Sequence, residues 1–290
     1  MVLQNQSCPL CNATKLRGLY ERRSHGVTWR LGHCESCGLH FTDPTPTEDQ
    51  IRQFYSGDYH QELRTAGASE RAFEARFTRY IDWISKFLPS GRSLDVGCAT
   101  GLLPRMLKDR GYDAEGIELH PETAQWGSRH YGLPIHNETL ERLAARHAET
   151  SQPGYDLVTL TEVVEHTGNP VEFLRTANSI LKPGGFALVT FPDISSLNSS
   201  YFRMLSRITG RGWLWITCQI PHHIWEFTHP TAVATFQRAG FSVAGFRRVE
   251  GKWSLPGKLA VLTWPVLPLQ SGALARRFGT QMEFMLLKNR

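Results

Sequence analysis

Three clusters of side chains in this sequence have the types and spacings that do chemistry. The first is four of the six cysteines, set in two identical pairs, Cys8-Pro9-Leu10-Cys11 and Cys34-Glu35-Ser36-Cys37. Two such knuckles close a tetrahedral thiolate cage of the kind zinc prefers. Four thiolates leave no open coordination position, so the predicted metal is structural. The second cluster is Thr161-Glu162-Val163-Val164-Glu165-His166, which gathers two carboxylates and an imidazole in one short run. On a turn opening into a helix, carboxylates three apart share a face and the adjacent imidazole joins them. Glu162, Glu165 and His166 are therefore candidate ligands of a second divalent metal, with Glu165 and His166 also candidate catalytic groups. The spacing equally suits residues that only cap the loop and line a pocket. The third cluster is the turn Gly97-Cys98-Ala99-Thr100-Gly101. Glycines at 97 and 101 permit a tight turn and let a ligand approach the backbone. One strand further on stands Glu118, placed to accept both hydroxyls of a ribose. Together they predict a bound nucleoside. The turn lacks the third glycine of the dinucleotide fingerprint.

These groups need a frame that brings strand ends together. Apolar runs at 93–96, 114–118, 133–135, 155–161 and 186–191 alternate with helical repeats at 102–110, 122–130, 140–147 and 171–181. Such alternation predicts a parallel, doubly wound α/β sheet whose ligands sit at the carboxyl ends of the strands. A helix at 231–239 and strands at 241–249 and 283–288 complete seven strands. Residues 1–43 read as the metal ribbon, with hairpin strands 16–22 and 27–31 around Ser24-His25-Gly26. A segment of this size makes no core alone and folds with its metal. Residues 44–90 read as a helical cap, with Thr47 as an N-cap and Ile51, Phe54, Phe73, Phe77, Tyr80, Ile81, Ile84 and Leu88 at helical spacing. The remainder, 91–290, is one domain with a long insert at 192–230. That insert carries Tyr201, Phe202, Trp213, Trp215, Trp225 and Phe227, and its length favours a lid or acceptor-binding element over mere packing. It also supplies His222 and His223, either of which could serve as a base or complete a metal site.

At this point a resemblance enters. Leu94-Asp95-Val96-Gly97-Cys98-Ala99-Thr100-Gly101, Glu118, Tyr155-Asp156-Leu157-Val158 and Leu181-Lys182-Pro183-Gly184-Gly185 resemble, in order, the motifs of class I S-adenosylmethionine-dependent methyltransferases. The resemblance implies a Rossmann-like fold and that cofactor. It implies that Asp95, Gly97, Cys98, Ala99 and Gly101 cradle the methionine part, that Glu118 and Leu119 hold the ribose side, and that Asn137 and Thr139 border the adenine. Thr161 and Glu162 complete the implied cofactor set. Many members carry Gly-Asp where this chain has Asn137-Glu138. The string Glu162 to His166 resembles the metal site of ubiquinone-pathway O-methyltransferases and of small-RNA 3′-end methyltransferases, both acting on hydroxyls. The ribbon followed by Cys37-Gly38-Leu39-His40-Phe41-Thr42-Asp43-Pro44-Thr45-Pro46-Thr47, then Tyr55 and Tyr59, resembles, more loosely, bacterial methyltransferases of sugar, polysaccharide or secondary-metabolite pathways. The implied acceptor is a small molecule or glycan precursor.

Composition narrows the partners. The chain has 290 residues, 32 Lys and Arg against 27 Asp and Glu, and 41% hydrophobic residues, as in foldable globular proteins. A net charge of +5, scattered along the chain, weighs against a dedicated nucleic-acid binder. The alternative is RNA docking by the ribbon through Arg22, Arg23 and Arg30 with Trp29. A catalytically silent cofactor-binding scaffold is a third reading. Residues 1–10 carry neither a basic start nor an apolar run, so the cytoplasm is the expected compartment. The apolar stretch 255–269 is broken by Pro256, Lys258, Pro265 and Pro268 and is too short to span a bilayer, though with Trp253 and Trp264 it leaves peripheral membrane contact open. Cys98 reads as a small pocket residue and not a nucleophile, and Cys218 has no partner in the pattern.

Overall fold

The computed structural model describes residues 1–24, 26–54, 67–150, 153–210, 220–249, 274 and 277–289. Tyr55, Tyr59, His25, Trp213, Trp215, Cys218, Trp253, Trp264 and the stretch 255–269 lie outside the described residues. The chain opens with three antiparallel strands, β1 (Leu16–Ser24), β2 (Val27–Cys34) and β3 (His40–Asp43), where the sequence had suggested only a hairpin. Two knuckles flank them. In each, the residue after the second cysteine is left-handed, Asn12 at φ 60° and Gly38 at φ 81°. In each, that residue's N–H donates to the first cysteine's carbonyl at 2.9 Å.

Helix α1 (Glu48–Phe54) starts at Thr47, as its sequence predicts: Thr47 Oγ1 accepts from Gln50 N, and Gln50 Oε1 accepts from Thr47 N. Helix α2 (Gly67–Ile84) then lays Tyr80, Ile81 and Ile84 onto a core shared with Leu103, Leu107, Leu157 and Leu188, so it covers one face of the main sheet. The alternating part follows as β4 (Arg92–Val96), α3 (Leu102–Asp109), β5 (Asp113–Ile117), α4 (Pro121–Tyr131), β6 (Ile135–His136), α5 (Leu140–Thr150), β7 (Tyr155–Thr161), α6 (Pro170–Ile180) and β8 (Leu181–Pro192). The insert forms α7 (Leu197–Thr209) and the two-residue strand β9 (Trp225–Glu226). Helix α8 (His229–Arg238), β10 (Phe241–Val249) and β11 (Gln281–Lys288) end the chain.

Seven strands form one sheet in the order β10-β11-β8-β7-β4-β5-β6. The pairs from β6 to β8 are parallel and β11 runs antiparallel to both neighbours. Buried on both faces, the central strands read as continuous apolar runs, which is why they were visible in the sequence. The strand order reverses at β4, so the carboxyl ends of β4, β5 and β7, with the glycine turn and the turn that carries Glu165, lie at the topological switch point.

The second sheet was not foreseen. It has the order β1-β2-β3-β9, so the insert adds its short strand to the ribbon, pairing Phe41 with Trp225 and His40 with Glu226. The ribbon is fused to the larger domain on both sides. Cys8, Leu39 and Phe41 share a core with Trp225 and Phe227, and Trp29 and Leu31 pack with Ile194 and Ile220.

Candidate functional site

The turn after β4 is held by its own backbone. The N–H groups of Gly97 and Cys98 both reach the Ile117 carbonyl, at 2.9 and 3.0 Å, and Gly101 N reaches Cys98 O at 2.8 Å. Gly97 and Gly101 are left-handed, at φ 69° and 84°, and so is Ala99 at 47°. The turn therefore needs its glycines. The space a Cβ would fill, however, is occupied by protein: at Gly101 it would stand 2.4 Å from the Ile135 side chain, and at Gly97 3.0 Å from Val163. Close packing, more than ligand approach, excludes larger residues here. Cys98 likewise turns inward. Its Sγ would lie 2.6 Å from a Cβ at Gly116, and it packs with Ala124, Leu133 and Ile135, so it is core and not pocket wall. Burial pushes its thiol well above the ordinary value, which fits an inert side chain.

Glu118 is well placed for a nucleoside. Its Oε2 accepts from Ala99 N at 3.0 Å and its Oε1 from His120 N at 2.8 Å, which orients the carboxylate and leaves a lone pair on each oxygen for a pair of hydroxyls. Beside it Leu119 is 65% exposed, an apolar surface next to a polar anchor. Asn137 donates through Nδ2 to the carbonyls of Glu118 and Leu119, at 2.9 and 2.8 Å, so it fixes this loop. Thr139 accepts from Arg142 N and starts α5. Asp95 is buried, accepts from Thr159 Oγ1 at 2.6 Å, and has its carboxyl raised to about 7 by burial, with Glu118 adding to the rise and Thr159 opposing it. The donor set fits adenosylmethionine: a ribose acceptor, an apolar platform and a buried carboxyl whose ionised form a cationic ligand favours.

The other edge is built from remote segments. After β7, residues Val164–His166 form a single 3-10 turn that places Glu165 inside and leaves about one-fifth of the His166 side chain open. Glu165 is 1% exposed, and neither carboxylate oxygen has a hydrogen-bond partner. Burial raises its carboxyl well above the usual range, and the neighbouring Glu162 and Glu226 charges raise it further. His166 Nδ1 lies 2.8 Å from the His222 carbonyl, which only accepts, so Nδ1 carries the proton and Nε2 bears the lone pair. Burial, then His223, lowers its imidazole to about 3, keeping it neutral. His223 is buried with its ring 4.8 Å from that of His166, and its Nδ1 is 3.3 Å from Glu226 Oε1, off the hydrogen-bond line.

Glu165, His166 and His223 each offer a ligand atom, all within 4.8 Å of one another. Of the two histidines left open by the sequence, His223 turns into this cluster, whereas His222 is exposed and contributes its carbonyl. Glu162, grouped with Glu165 and His166 by spacing, is replaced by His223. It adopts φ 58° at the end of β7, which turns its carboxylate toward Thr190 Oγ1, at 3.1 Å, and Gln281 Nε2. Thr161 pairs with Thr190 across β7 and β8. Sequence reasoning gave no role to Thr42, Glu226 or Gln281, because nothing local marks the pairing of β9 or the return of β11.

The four cysteine sulfurs also meet within 4.8 Å of one another, with Cys8 Sγ to Cys37 Sγ and Cys11 Sγ to Cys34 Sγ both 3.6 Å. Leu10 N points at Cys8 Sγ at 3.4 Å, a contact that suits a thiolate. The donor set fits a tetrahedral zinc cage.

Comparison with known proteins agrees with the fold. A family model described as a methyltransferase domain matches residues 72–244. The ubiquinone biosynthesis O-methyltransferase of Burkholderia thailandensis is 31% identical over 183 residues, covering 59% of this chain and 72% of the relative. Its namesake in Methylococcus capsulatus is 29% identical over 187 residues, covering 60% and 75%. Among solved structures, an S-adenosylmethionine-dependent methyltransferase of Archaeoglobus fulgidus superposes with a TM-score of 0.53 at 18% identity, covering 79% of this chain and 98% of that one. The 1,6-didemethyltoxoflavin-N1-methyltransferase of Burkholderia thailandensis, solved with S-adenosylhomocysteine, gives 0.53 at 12% identity over 93% and 100%; both likenesses show the fold. The chain belongs to the methyltransferase-domain family and is a class I S-adenosylmethionine-dependent methyltransferase.

Proposed function

We propose that this enzyme methylates a hydroxyl of a small molecule, with Glu118 anchoring the ribose of adenosylmethionine and Glu165, His166 and His223 facing the acceptor. One observation carries the reading: a buried carboxyl with two unpartnered oxygens beside a neutral imidazole lone pair. A buried polar group without a partner calls for an explanation, and a bound ion or acceptor supplies one here. Two relatives named as O-methyltransferases support the hydroxyl.

Methyl transfer is an in-line displacement, and alignment of the two reactants contributes up to about 7–11 kcal/mol. A hydroxyl acceptor must also lose its proton. Glu165, His166 and His223 would hold a divalent cation, which when bound lowers the pKa of a nearby hydroxyl. The chain's own part is to keep that place ready. His166 keeps its proton on Nδ1 against the His222 carbonyl and presents Nε2, while Glu165, whose ionised form burial disfavours, would gain from a positive charge placed beside it. Glu165 and His223 are themselves buried, so the place they form is largely withdrawn from water.

The ribbon cysteines, in this reading, hold a structural zinc. The RNA alternative is less well supported, because β3 and the knuckles spend their surface on the larger domain. The described residues contain no helix long and apolar enough to cross a membrane.

The test is release of S-adenosylhomocysteine with phenols, catechols, sugars and amines, in protein stripped of loosely held metal and then given Mg²⁺, Mn²⁺ or Zn²⁺. Turnover of a hydroxyl acceptor that rises with metal and is lost in His223→Ala supports the proposal. Turnover confined to amines and indifferent to His223→Ala would refute it. Steep weakening with salt would instead favour RNA.

A further inference from the structure

The segment that delivers His223 is held by its carbonyls. Three successive ones are taken: His166 Nδ1 reaches the carbonyl of His222 at 2.8 Å, Thr42 Oγ1 donates to that of His223 at 2.6 Å, and Thr42 N donates to that of Ile224 at 2.8 Å. The first grip belongs to the site itself. The other two come from one ribbon residue, more than 180 positions away in the chain. On the far side of the same segment, Ile224 N donates to the Glu165 carbonyl at 2.8 Å and Trp225 Nε1 to that of Thr167 at 2.6 Å. Residues 222–225 are thus stretched between the ribbon and the 3-10 turn that carries Glu165 and His166.

Thr42 is itself 1% exposed and fixed in register. It stands opposite Leu31 on β2, and β2 ends at Cys34 of the thiolate cage. A hydroxyl buried this deeply takes one defined partner, and here the partner is the backbone of the residue whose ring completes the cluster. A ribbon that only docked another molecule would not need this bond.

We propose that Thr42 is a positioning residue for methyl transfer, setting through the His223 carbonyl where the His223 imidazole meets Glu165 and His166. The ribbon is then a wall of the acceptor site, and loss of its cage is felt at His223. The inference rests on the reading of that cluster as the acceptor site.

Thr42→Val removes the hydroxyl and keeps the shape and the backbone N–H, whereas Thr42→Ser keeps the donor. With catechol as the probe acceptor, Thr42→Val should lower kcat roughly three- to tenfold, the range of one buried hydrogen bond, at unchanged affinity for adenosylmethionine. Thr42→Ser should restore kcat to within roughly twofold on the same scale. In a His223→Ala background Thr42→Val should add no further loss, since both act through one ring. Histidine-ring NMR of the full chain provides an arm free of any acceptor. The His223 signals, assigned by their absence in His223→Ala, should move in Thr42→Val and return in Thr42→Ser, while those of the distant His136 stay. Unmoved His223 signals, equal impairment in Val and Ser, or full additivity with His223→Ala would each overturn the role. If His223→Ala itself left kcat at the wild-type value, the functional reading would fail instead, and the NMR arm would still decide whether Thr42 holds the ring.

Discussion

The two edges of the crevice are made in opposite ways. The cofactor edge is local: Asp95, the turn 97–101 and Glu118 lie within one strand-helix-strand unit, tied by backbone bonds between neighbours. The acceptor edge is assembled from segments around residues 42, 165 and 223, brought together by two sheets. Their electrostatics differ too. At the cofactor edge the carboxylates are satisfied, Asp95 by Thr159 and Glu118 by two amides, whereas Glu165 is left without a partner. One edge is complete as it stands, and the other is arranged for something that arrives.

Breaking the acceptor edge should have the largest effect. His223→Ala and Glu165→Gln are expected to lower methyl transfer by at least about 10- to 100-fold, the loss that follows even from removing the support of a metal ligand, with cofactor affinity nearly intact. Steady-state turnover beside titration calorimetry checks this; a parallel loss of binding would merge the two edges. Disrupting the proposed thiolate cage comes next. Cys34→Ser, or a strong chelator, should unfold the β1–β3 hairpins and detach β9, because the cage supplies folding energy that this small unit lacks. Circular dichroism and hydrogen exchange should locate the loss in residues 8–43 and 222–226, with β4 and β5 still protected.

On the cofactor edge, Glu118→Ala should weaken adenosylmethionine by roughly tenfold or more, since hydrogen bonds to a charged group contribute about 1.5–3 kcal/mol. Equal affinities in calorimetry would remove the ribose assignment. The smallest expected effect is the pH response of Asp95. Its carboxyl is raised from the usual value to about 7 in the folded chain by burial. Between pH ~4 and ~7 the folded state therefore holds a proton that the unfolded state has released, and stability falls as pH rises through that window. Thermal melts should show this decline in the wild type, worth a few degrees, and a flatter profile in Asp95→Asn.

How much of this could be read in the sequence follows the same division. The strands and turn of the proposed cofactor edge were legible because their residues are contiguous and the strands, buried on both faces, are plain apolar runs. Even there the physics was partly misassigned: Gly101 is required by φ 84° and by Ile135, and Cys98 belongs to the core. At the acceptor edge Glu165 and His166 were legible as neighbours on a turn. Glu162 was misplaced because a left-handed backbone reverses its direction, which spacing does not encode. The choice between His222 and His223 waited on β9, a strand of two residues whose pairing with β3 joins positions far apart in the chain. The spacing of the ribbon's cysteines foretold that all four would meet, yet the ribbon's proposed hold on His223 rests on one threonine hydroxyl to which the sequence pattern gave no role.

The most direct test of the central claim is anomalous diffraction from crystals grown with S-adenosylhomocysteine and Mn²⁺. The account predicts a manganese peak among Glu165, His166 and His223, with the cofactor's ribose on Glu118 and its sulfur turned toward that peak. No metal at the cluster, together with a cofactor sulfur opening onto a different surface, would contradict it.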